Sequence, residues 1–117
     1  MFTYDCEVTY VVDGDTCDVN IDLGFKISHK ARVRLHGINA PESRTRDKAE
    51  KYRGLQAKAR FKELIRERDI RLISHDKGKY GRVLGEILIK NHNDKWDSVN
   101  KMLVTEGHAV EYYGGKR

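Results

Sequence analysis

The sequence predicts a mainly β (β+α) fold, a five-stranded barrel with two helices in the order β-β-β-α-β-β-α. Three observations carry that prediction. Short runs of alternating apolar and polar residues recur, each bounded by a glycine-containing turn. One central stretch changes to helical periodicity. No repeat, low-complexity segment or linker divides the 117 residues, so residues 1–117 are expected to form one domain around one core.

Taken in order, residues 7–12 (EVTYVV) and 16–21 (TCDVNI) are the first two strands, joined by Asp13-Gly14-Asp15. Asp-Gly between alternating runs signals a hairpin, because glycine adopts the positive φ that such a turn needs. Residues 26–36 form the third strand, reached through Leu23-Gly24. In it Arg32 and Arg34 alternate with Val33 and Leu35 until Gly37 and Pro41 end the run. The polar stretch 43–54 (SRTRDKAEKYRG) reads as an exposed loop. From about Gly54, Ala57, Phe61, Leu64 and Ile65 recur at helical spacing, with Lys58, Lys62 and Arg66 on a solvated side. Residues 70–74 (IRLIS) and 83–90 (VLGEILIK) are the last two strands. Val99, Met102 and Leu103 describe a short helix capped by Asp97 or Ser98 and stopped at Gly107. This order is that of an OB-fold, a partly open Greek-key barrel.

Composition narrows the function classes. Lysine plus arginine minus aspartate plus glutamate is 23 − 18 = +5, and the sequence pI is about 9.2. That balance suits a polyanionic partner, nucleic acid first, or a surface charged for solubility. Two cysteines without C-x-x-C spacing and five scattered histidines give no zinc motif. Cys17 reads as a buried apolar side chain; a Cys6–Cys17 disulfide is neither demanded nor excluded. The first residues lack the basic and apolar segments of a signal peptide, and no run has the length of a membrane span. A cytoplasmic monomer without a membrane partner is the expectation.

Three groups of residues can carry chemistry. Asp13, Asp15, Asp18 and Asp22 crowd the first turn and suit a hard cation or a solvated hairpin. An EF-hand is excluded, since counting from Asp13 puts Asp18 at the glycine position and Gly24 at the glutamate position. Arg34 and Glu42 flank the second turn, and Lys79-Tyr80-Gly81-Arg82 presents another cation next to a strand. Phosphodiester hydrolysis needs this combination: a carboxylate to take a proton from water, and cations where charge builds on the phosphoryl oxygens. Arginine suits the second task because its planar fork binds two oxygens and keeps its charge.

The motifs VVDGDT, RVRLHGINAPE, DKGKYGR and SVNKMLVTEGHA, in that order, resemble the staphylococcal nuclease (thermonuclease) family from about Val8 to Tyr113. The resemblance implies a Ca²⁺-dependent nuclease that cuts DNA and RNA, preferentially single-stranded, leaving 3′-phosphate ends. Carried over residue by residue, Glu42 handles the water and Arg34 and Arg82 clamp phosphate. Asp15, Asn39 and the Ala40 carbonyl are implied metal ligands, with Asp13 a structural neighbour. Lys79 and Tyr80 correspond to contacts with the substrate's terminal phosphate region, Tyr112 or, by preference, Tyr113 to a tyrosine against which a base or phosphate packs, and Asn100 to a structural asparagine. The family usually carries aspartate where this chain has Asn39, so weaker metal binding is expected. This chain's loop between Asp76 and Tyr80 is also shorter than the type enzyme's and lacks an acid there, and the type enzyme's last helix has no counterpart before Arg117. The alternative is a non-catalytic OB-fold that binds nucleic acid or serves as a scaffold.

Overall fold

The computed structural model describes residues 2–77 and 82–113, and its elements follow the alternation just outlined. They are β1 (Phe2–Asp13), β2 (Thr16–Asp22), β3 (Ser28–Leu35), β4 (Ile38–Asn39), α1 (Lys48–Ile65), β5 (Ile70–Lys77), β6 (Val83–Lys90), β7 (Trp96–Ser98), α2 (Val99–Thr105) and β8 (Val110–Glu111). The main sheet runs β3-β2-β1-β5-β6-β7, and β3 also pairs with β6. That extra pairing, parallel where the other strand contacts are antiparallel, closes β1, β2, β3, β6 and β5 into a five-stranded barrel. The chain is therefore an OB-fold, as the strand order predicts.

Apolar residues at alternate strand positions point inward because a strand's side chains change face at every residue. Cys17, Val19, Val33, Leu35, Leu72, Ile87 and Ile89 fill the barrel, and Ala57, Phe61 and Leu64 of α1 close over them with Val99 and Leu103 of α2. The two helices are also tied at the surface, where Arg60 Nε and Nη2 donate to the two carboxylate oxygens of Glu106 at 2.6 and 3.0 Å. Those hydrogen bonds hold the Glu106 carboxyl below its ordinary value. Both cysteines are free thiols. Burial pushes Cys6 up to about 12 and Cys17 higher still, so both stay protonated and unreactive at neutral pH. Among the described residues no helix is long and apolar enough to cross a membrane.

Two element starts differ most from expectation. β1 begins at Phe2, five residues before Glu7, because its first half pairs with β5. Helix α1 starts at Lys48, not near Gly54. Its cap is Asp47, whose carboxylate accepts from the Ala49 and Glu50 amides at 3.0 and 3.2 Å. The first turns of α1 face solvent without an apolar stripe, so hydrophobic periodicity does not mark them. Of the two residues expected to cap α2, Ser98 does so. The short pair β4–β8, Ile38 with Glu111 and Asn39 with Val110, joins the end of the described chain to the turn after β3.

Candidate active site

The end of β3 and the β1–β2 turn build a compact polar cluster. Arg34 lies opposite Thr16 in the β2–β3 ladder, and its side chain is only 17% exposed. Its Nη1 donates to the carbonyls of Leu35 (3.2 Å) and Asp15 (3.4 Å) and lies 3.4 Å from Asp15 Oδ2. Nη2 donates to Asn39 Oδ1 at 3.1 Å. Asp15, 7% exposed, accepts from the Thr16 hydroxyl at Oδ1 (2.9 Å) and from the Ala40 amide at Oδ2 (2.8 Å). Each buried charge therefore has an opposite charge and neutral partners, the condition under which ions tolerate burial. Asp15, Arg34, Asn39 and Ala40, distant in sequence, meet here.

Glu42 is delivered to the edge of this cluster by contacts to its backbone. Its N–H donates to Glu50 Oε2 at 3.1 Å. The next residue, Ser43, is buried and donates both its amide (3.1 Å) and its hydroxyl to Asp13 Oδ1. Helix α1 comes so close that a Cβ at Gly54 would stand 2.3 Å from the Glu42 carbonyl oxygen. Gly14 serves the other side, where a Cβ would stand 2.7 Å from that of Ala57. The turn carrying Asp15 and the segment carrying Glu42 are thus both seated against α1. The Glu42 side chain is exposed, and among the described residues its carboxylate makes no hydrogen bond or ion pair.

Beyond Gly37 the site has an aromatic border. Tyr113, 74% exposed, meets His36 edge-on with centroids 6.0 Å apart, and His36 stacks on His75 at 4.4 Å. A cavity of about 460 Å³ opens there, lined by both histidines, Glu86, Lys101 and Tyr113. Asn100 fixes its floor: Oδ1 accepts from the Ile87 amide at 3.2 Å, while Nδ2 donates to the carbonyls of His36 (2.9 Å) and Gly85 (3.2 Å). Arg82, partly buried, immediately precedes β6, whose Val83 and Leu84 pair with Val33 and Arg34. The parallel register therefore brings the Arg82 backbone to the β3 side of the barrel. Lys79 and Tyr80 lie outside the described residues. A larger cavity, about 680 Å³, is lined by Asp5, Glu67, Arg68 and Trp96 and holds none of these groups.

Sequence reasoning passed over the supports of the site, namely Ser43, Glu50 and Gly54. Two signals point to them: a glycine inside a helical pattern, which implies close packing, and the Asp47-x-x-Glu50 spacing of a helix start.

A family model described as "Staphylococcal nuclease homologue" matches residues 32–117. The chain is 30% identical over 114 residues to a protein named Micrococcal nuclease from Shigella flexneri, a match covering 92% of this chain and 59% of that protein. It is also 30% identical over 110 residues to Protein ParB from Escherichia coli, covering 91% of this chain and 56% of that protein. The chain thus spans less than two thirds of the length of these relatives.

Proposed function

The chain belongs to the staphylococcal nuclease homologue family, and from that premise we propose that it hydrolyses phosphodiester bonds of DNA or RNA, acting on single-stranded or locally melted stretches. The observation that carries the proposal is the placement of Arg34: a partly buried guanidinium held against Asp15 and Asn39, with the exposed carboxylate of Glu42 on a segment anchored beside it. A module that only binds a polyanion gains nothing from an unpaired carboxylate next to its cation, since that charge repels phosphate.

In this reading Glu42 takes the proton of the attacking water. Arg34 and Arg82 stabilise the charge that grows on the phosphoryl oxygens, with Arg34 pre-oriented by its oxygen partners. Lys79 and Tyr80 contact the neighbouring phosphate, and Tyr113 offers its ring to a base.

The family resemblance implies a divalent cation. Asp15, Asn39 and the Ala40 carbonyl are oxygen donors, the kind that Ca²⁺ and Mg²⁺ accept. No group of three or more histidine, cysteine, aspartate or glutamate side chains suited to a metal occurs among the described residues. Asp15 is the set's one carboxylate, and both its oxygens already accept hydrogen bonds. The set fits a hard cation in donor type and fits weak binding in charge. A bound cation would polarise a phosphoryl oxygen.

A second reading, a nucleic-acid-binding module without catalysis, draws on the same cluster, because Arg34, Asp15 and Asn39 satisfy one another without a ligand. One experiment separates the two. Incubated with heat-denatured DNA and with RNA, the protein should cut in Ca²⁺ and stop in chelator, and Glu42→Ala should lower cleavage by about 10³-fold, within the range of a lost general base. Absence of cleavage in every divalent metal, or equal cutting by Glu42→Ala, overturns the proposal.

A further inference from the structure

The stretch between Ser43 and Gly54 carries five cations, Arg44, Arg46, Lys48, Lys51 and Arg53, against two acids, Asp47 and Glu50. Both acids accept from backbone amides: Asp47 caps α1, and Glu50 accepts the Glu42 amide. All five cations are exposed, and none makes an ion pair among the described residues.

Two of the lysines stand where folding does not want them. Lys48 and Lys51 occupy the first turn of α1, whose positive dipole end favours acids and opposes cations. Lys48, Lys51, Tyr52 and Leu55 recur at i, i+3, i+4 and i+7, so they share one face of the helix. On that face Tyr52 is 65% and Leu55 47% exposed. An exposed aromatic ring among unpaired cations is the combination that holds a single strand, with bases stacking on the ring and cations following the phosphates. Glu50 accepts the Glu42 amide from the opposite, core-facing side of α1, so this face meets the candidate site along the chain, through Arg44 and Arg46 between Ser43 and the helix start. On its inner side Arg53 lines a groove of about 450 Å³ with Asn39, Pro41 and His108.

We propose that Arg44, Arg46, Lys48 and Lys51, with Tyr52 as a stacking platform, form a docking surface for single-stranded nucleic acid continuing past the bond held at Arg34 and Glu42. This rests on the nuclease reading for its direction, and it deepens that reading by making affinity depend on strand length. Binding along the surface releases counterions at each phosphate contact, so it is steeply salt-dependent.

The test compares the protein with the fourfold variant R44S/R46S/K48A/K51A and with Tyr52→Ala. Binding of a long labelled single-stranded oligonucleotide is followed by anisotropy in chelator across a salt series, and turnover of a dinucleotide is measured in Ca²⁺. The fourfold variant should lose about tenfold or more in affinity, with a salt slope shallower by about 1.4 or more, two phosphate contacts at ~0.7 each. Its dinucleotide turnover should stay within about twofold of the parent, and its Tm should be unchanged or higher because cations leave a positive helix end. Tyr52→Ala, a change at an exposed position, should weaken long-strand binding about fivefold, the low end for one stacked base. Unchanged affinity and slope in both variants would sink the surface, and so would polyglutamate competing as well as the oligonucleotide, which would assign the face to an acidic protein. If the parent cuts nothing, the nuclease reading fails while the salt-slope measurement still decides the surface.

Discussion

Arg32 and Arg34 stand two residues apart on the same face of β3, and each is paired with an aspartate across the turn or strand beside it, yet their positions differ in kind. Arg32 lies directly opposite Asp18, and the two side chains meet fork to fork, Nε to Oδ1 at 2.8 Å and Nη2 to Oδ2 at 3.2 Å. Half exposed, that pair is complete within itself. Arg34 lies opposite Thr16, which offers no carboxylate, so its guanidinium reaches past the ladder to the turn and divides itself among Asp15, Asn39 and two carbonyls. A bidentate surface pair consumes an arginine. An arginine held by several partial acceptors at a strand end keeps its charge oriented without being locked to one carboxylate. Residue type does not distinguish the two; the cross-strand neighbour does.

Substitutions can break that contrast, the largest effect first. Arg34→Lys keeps the charge but loses the planar fork, and turnover on denatured DNA should fall by roughly 10²-fold, in line with loss of one preorganised transition-state donor. A variant with parental turnover would show that Arg34 does not meet the phosphate.

Asn39→Asp sharpens the contrast by adding a carboxylate where Arg34 now finds an amide. If residue 39 faces the cation, Ca²⁺ affinity measured by calorimetry should rise on the order of tenfold, because ligand charge is a main control of such sites. An unchanged Ca²⁺ isotherm with a higher metal-free Tm would instead mean that the new carboxylate serves only Arg34.

Arg32→Lys should do least. An exposed ion pair is worth at most about 1 kcal/mol, so Tm should move by only a few degrees and turnover should stay within about twofold. A large loss of turnover there would erase the distinction drawn between the two arginines.

Much of the fold is legible in local sequence, for stated reasons. Alternation of Val33 and Leu35 with Arg32 and Arg34 names a half-buried strand, the Asp13-Gly14-Asp15 turn names a hairpin, and Ala57, Phe61, Leu64 and Ile65 name a helix face. Such signals reside in the spacing of neighbours, so a reader needs no third dimension to use them. The start of α1 escaped because Lys48–Arg53 bury no apolar side chain and so carry no period; only the Asp47 cap marks it.

The residue types of the candidate site, two arginines, a glutamate and an aspartate around tight turns, are likewise set by the chain alone. Their meeting is not. Barrel closure through β3 and β6 brings the start of β6 beside Arg34. The hydrogen bonds from Ser43 to Asp13 and from Ala40 to Asp15 join segments some 30 and 25 residues apart, and Gly54 admits the helix that holds them. These contacts rest on close packing between distant segments, and no spacing within one segment encodes a distance between two. The sequence by itself determined the barrel's strands and the chemistry on offer; tertiary structure decided which arginine is consumed by a single partner and which is shared among the Asp15 turn, Leu35 and Asn39.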